Sequence, residues 1–132
     1  MPSATLTPYK NNTTQTSYSL VSSSEKGALW LVTGRALSKP AWIEVIRKIG
    51  PSSSLANDHL ILRIGVTEAN ASTGKLSTGS VTVDFSTPKD QSVISSATML
   101  DQSGVIASLL NDSVANAATT VTRTALVEGR LP

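Results

Sequence analysis

The stretch HLILRIGVT, residues 59–67, alternates apolar and polar positions almost without a break. Side chains on a strand alternate with period two. Leu60, Leu62, Ile64 and Val66 therefore fall on one face, and His59, Ile61, Arg63, Gly65 and Thr67 on the other. The predicted strand extends to about Glu68. SVTVDFS (80–86) repeats the pattern, with Val81, Val83 and Phe85 opposed to Ser80, Thr82, Asp84 and Ser86. Upstream, ATLTPY (4–9) and TSYSLVSS (16–23) flank the polar run KNNTTQ and predict a hairpin. GALWLVTG (27–34) and PAWIEVIRKIG (40–50), bounded by glycine and proline, predict further strands. In the latter, Ile43, Val45 and Ile49 are assigned to the core, which puts Glu44, Ile46 and Lys48 on the polar face and leaves Arg47 unassigned. The opposite register would bury Glu44 and Lys48 at greater cost. PSSSLAND (51–58) and NASTGKLSTG (70–79) predict loops.

After Pro88 the period changes. From about Ser96 to Asn111, Met99, Ile106, Leu109 and Leu110 make a helical stripe with Val105 beside it. Thr98 with Asp101 three residues on suggests the helix start, and Asn111-Asp112 its end. SVANAAT (113–119) predicts a second, shorter helix, and residues 120–132 fit either an extended tail or a prolonged helix. Strands followed by helices give an α+β class: an N-terminal β-hairpin, an antiparallel meander sheet and two C-terminal helices in one domain, 1–132. Such a sheet can cover one face with helices and leave the other in water. The stripe around Ile106 covers either its own sheet or that of a sister chain.

Composition sharpens this. Of 132 residues, 39% are hydrophobic but only 4% aromatic, so the core must be assembled from Val, Ile, Leu and Ala. A modest core of this kind gains from association, which predicts an oligomer. With no cysteine, disulfides and thiolate metal sites are excluded. No run approaches transmembrane length, and MPSATLTPYK lacks an apolar signal core, so the expectation is a soluble chain made in a cytoplasm, with no membrane partner. The net charge is +2, and the basic excess lies in residues 1–90, with nine Lys/Arg against six Asp/Glu.

Enzymatic chemistry finds little support. His59 is the lone histidine, and the carboxylates are scattered without the spacing of a cation loop. Asp58 beside His59 fits a polar loop-to-strand junction better than a dyad. There is no G-x-S-x-G elbow and no phosphate-cradling glycine loop. No catalytic residue, metal or cofactor is expected.

The order of elements, together with GALWLVTG, HLILRIGVT, SVTVDFSTP and SGVIASLLND in their places along the chain, resembles the coat protein of the small single-stranded RNA bacteriophages. The resemblance covers essentially the whole chain. It implies an interleaved homodimer with one continuous intersubunit sheet, each chain's helices crossing onto the partner's sheet. The implied dimer core is Leu60, Leu62, Ile64, Val66, Val81, Val83, Phe85, Ile106, Leu109 and Leu110. Dimers would tile an icosahedral shell in the bacterial host cytoplasm. Contacts around the symmetry axes would come from loop 69–79, with Asn70, Thr73, Gly74, Lys75 and Thr78. The exposed sheet face would bind single-stranded genomic RNA, including a hairpin operator, through Lys48, Arg63, Ser80, Thr82 and Asp84. There Arg63 would neutralise a phosphate or stack on a base, and Thr82 and Asp84 would bond base edges.

Two other classes fit the bulk features. A monomeric single-stranded nucleic-acid-binding β-module would want aromatic stacking platforms, and this chain has only Tyr9, Tyr18, Trp30, Trp42 and Phe85. A β-rich structural or adhesin-like domain would want an export signal.

Overall fold

Six strands form one antiparallel sheet in which every strand pairs with its sequence neighbours: β1 (Thr5–Leu6), β2 (Tyr18–Ser24), β3 (Gly27–Val32), β4 (Ala41–Lys48), β5 (Asp58–Ala69) and β6 (Leu76–Thr87). A helix, α1 (Ser96–Leu110), follows. The computed structural model describes residues 2–8 and 14–110, with the side chains of 107–110 outside that description. The described chain divides into two compact units. One holds the sheet (2–8 and 16–89) and the other holds residues 14–15 and 90–110. The expected meander and first helix are present, whereas the second helix and the tail after Thr120 lie outside the described residues.

Cross-strand pairing fixes which side chains share a face. Leu20, Trp30, Ile43, Ile64 and Val81 lie in one transverse row, and Ala28, Val45, Leu62 and Val83 in the next. Trp30, Ala41 and Ile43 are the buried apolar centre of the sheet unit. The Trp30 indole donates to the Ser3 carbonyl at 2.8 Å, which satisfies the polar end of a ring too large to bury unpaired. On the opposite face, Glu44, Arg63 and Thr82 form one row, Trp42, Gly65 and Ser80 a second, and Ile46, Ile61 and Asp84 a third.

Several expectations need correction. Loop 69–79 is only half loop: β5 continues to Ala69 and β6 begins at Leu76, so Thr78 is a strand residue opposite Thr67, their hydroxyls 2.7 Å apart. Regular pairing extended the ladder because nothing in LSTG forbids strand geometry when β5 offers a full-length partner. Ile49, assigned to the core, lies beyond the end of β4 and is 58% exposed. Arg47, which the pattern left unassigned, is opposite Leu60, on the apolar face, at the margin of the sheet where its charge stays in water. The helix begins two residues before Thr98. Ser95 is its N-cap, its Oγ accepting from the Thr98 amide at 3.3 Å and its carbonyl from Met99 at 3.2 Å. Within α1, Met99, Ser103 and Ile106 are less exposed than Leu100 and Val105, as a helical stripe requires.

Candidate functional site

β4, β5 and β6 bring the five predicted RNA-facing residues, Lys48, Arg63, Ser80, Thr82 and Asp84, to one face. The reason is strand parity: Lys48 pairs with His59, Arg63 with both Glu44 and Thr82, Ser80 with Gly65, and Asp84 with Ile61. The side chains on this face interact chiefly with each other. Arg63 Nη1 donates to Glu44 Oε1 at 3.2 Å, and Asp84 Oδ1 lies 2.8 Å from His59 Nδ1. Lys48 is exposed and forms no ion pair among the described residues. On these three strands the face carries two permanent cations, Lys48 and Arg63, against two carboxylates, Glu44 and Asp84. Its formal charge is therefore zero with His59 neutral.

The same face is partly apolar. The Trp42 ring lies so close to Gly65 that a Cβ there would collide with it, so glycine here is the partner that lets the indole rest against the strand. Ile46 and Ile61 flank the row below. Sequence alternation located the face but missed both ion pairs and the Trp42–Gly65 contact, because these depend on register between strands. Glu44 stands nineteen residues before its arginine and His59 twenty-five before its aspartate, so no local spacing signals either pair.

The reverse face of β5 and β6 is the one assigned to a dimer core. In the single chain it is open: Leu60 is 42% exposed, Ile64 41%, Val66 39% and Val81 52%, with Leu62, Val83 and Phe85 half-buried. Ile106 is half-buried on α1, and the side chains of Leu109 and Leu110 are outside the described residues. β6 ends the sheet among the described residues, pairing with β5 over all twelve of its positions without a bulge.

The predicted inter-dimer loop is a tight connection at residues 70–75. Asn70 Oδ1 accepts from the amides of Ser72 (2.9 Å) and Thr73 (3.0 Å), and Asn70 N donates to the Lys75 carbonyl at 2.8 Å. Gly74 sits at φ +71°, a left-handed conformation suited to glycine. Thr73 Oγ1 accepts from the Lys75 amide at 3.3 Å. Elsewhere, Asp58 and His59 turn to opposite faces and form no dyad. Asp58 Oδ1 takes 2.6 Å from Lys89 Nζ and accepts from the Gly50 amide, which ties the ends of β4 and β5 to the segment after β6. The Lys89 ammonium holds the Asp58 carboxyl below its ordinary pKa, helped by the Gly50 amide and opposed by desolvation. Among the described residues no group of three or more His, Asp or Glu could hold a metal ion.

The fold has close counterparts among solved structures. The chain superposes on the virus-like particle of bacteriophage AVE019 with a TM-score of 0.74 at 11% identity, covering 100% of this chain and 99% of that chain. The coat protein of bacteriophage EMS014 gives 0.72 at 6%, with the same coverage, and the bacteriophage GA protein capsid 0.62 at 11%, covering 94% and 93%. No protein-family model and no curated protein matches the sequence. The chain therefore has the bacteriophage coat-protein fold.

Proposed function

We propose that this protein is a phage coat protein whose two units form one domain. It dimerises through β6 and the open apolar face, then builds an icosahedral shell around single-stranded RNA. The observation that carries the reading is the state of β6. It is a long, unbulged strand at the end of the sheet among the described residues, and its Val81 with Leu60, Ile64 and Val66 of β5 are each 39% or more exposed. An edge of this kind invites pairing, and a twofold-related copy would complete both the ladder and the apolar layer. Full-length likeness to virus-like particles and coat proteins supports a structural role. On this reading α1 crosses onto the partner's sheet, and the polar face is turned inward to the RNA. A hairpin operator is the finer form of the same proposal.

Expression in a bacterial host tests it. The protein should elute as megadalton particles containing nuclease-protected RNA. A small monomer with no RNA would refute the coat role. It would favour the β-module reading, for which the face around Trp42 is the relevant surface.

A further inference from the structure

We propose that Glu44 is a lock on the RNA face, holding Arg63 in a self-neutralised pair that must open before the guanidinium engages a phosphate. This rests on the reading that the β4–β6 polar face meets RNA. Arg63 is the central cation of that face, flanked by Glu44 on β4 and Thr82 on β6. Its bond to Glu44 is 3.2 Å long, and the side chains are 48% and 32% exposed. A contact this open to water exchanges partners readily, since solvent screens it and it is not bidentate. The other carboxylate on the face, Asp84, lies 2.8 Å from His59 Nδ1, and among the described residues Lys48 is the one Lys or Arg on this face without an ion pair. With the pairs closed, the face offers a polyanion one free cation and no net attraction. With the Glu44 pair open, it offers two. Glu44 is thus a positioning and specificity residue. It suppresses binding of arbitrary polyanion and leaves Arg63 to RNA that also makes the neighbouring contacts.

The test is a double-mutant cycle on the full chain, read by fluorescence anisotropy with a short labelled oligouridylate across a salt series. Glu44→Gln keeps shape and an acceptor but removes the charge. It should tighten binding about three- to tenfold at low salt, and steepen the log K against log salt slope by about 0.7, the signature of one more neutralised phosphate. In an Arg63→Ala background the same substitution should change neither quantity appreciably. If Glu44→Gln tightens binding equally in the Arg63→Ala background, Glu44 acts by general repulsion and the lock is refuted. If Arg63→Ala weakens binding but Glu44→Gln alone changes nothing, the lock is also refuted while the RNA face stands. If Arg63→Ala leaves affinity and slope at wild-type values, the RNA-face reading itself fails. Circular dichroism of each variant confirms that the sheet is intact.

Discussion

Val81→Asp is expected to separate folding from association. Val81 lies on β6 opposite Ile64, on the open apolar face, and is 52% exposed in the single chain. Full burial of an aliphatic side chain contributes roughly 1.5–3 kcal/mol. About half of that remains to be gained at Val81, so a twofold interface would lose about 2 kcal/mol from two copies. A carboxylate in the same place adds the cost of desolvating a charge or protonating it, about 1–3 kcal/mol per copy by mutational measures of buried polar groups. The sum exceeds about 4 kcal/mol, and each 1.4 kcal/mol is tenfold, so the dimer should weaken by about a thousandfold or more. Sedimentation velocity across a concentration series reads the association, and far-ultraviolet circular dichroism reads the sheet. Thr82→Asp is the control: it is the next residue, but faces Arg63 on the other side. It should leave association in place. Assembly of Val81→Asp at wild-type concentrations, or equal loss in Thr82→Asp, would refute the assignment of the two faces.

Gly65→Ala should destabilise the sheet by about 1–3 kcal/mol in urea unfolding, because the new methyl must displace the Trp42 ring; a red shift in tryptophan emission should accompany it. Asn70→Ala should cost about 1–2 kcal/mol, through loss of the acceptor for the Ser72 and Thr73 amides, and lower the melting temperature of the protein. Asp58 has a folded pKa held below its unfolded value by Lys89, so the contribution is present above the ordinary carboxylate range and is lost as pH falls through the folded pKa. Asp90, lowered by the Ser92 hydroxyl and amide, acts with the same sign. Lys89→Met should therefore flatten the fall in stability below about pH 4, measured by chemical unfolding at stepped pH; an unchanged acid limb would count against the Asp58–Lys89 tie.

How much was legible beforehand differs from element to element. The two faces of β5 and β6 were plain in HLILRIGVT and SVTVDFS, because a period of two is a property of the strand itself. The stripe through Met99 and Ile106 likewise located the start of α1 at Ser96, while its expected end at Asn111-Asp112 lies outside the described residues. Boundaries failed where a partner strand decides them: Thr78 became strand because Thr67 was opposite, and Ile49 left the core because β4 stopped at Lys48. The Ser95 cap won over Thr98 because the helix could start earlier with its first amides satisfied.

Alone, then, the sequence determined the class, the order of strands and helix, and the division of β5 and β6 into an apolar and a polar side. These follow from local periodicity and from turn residues, which act over a few positions. Only the tertiary structure decided that Arg63 meets Glu44, that His59 meets Asp84 and that Trp42 rests on Gly65. Cross-strand register sets those meetings, and register is a relation between segments far apart in the chain, settled by the whole sheet finding its best alignment.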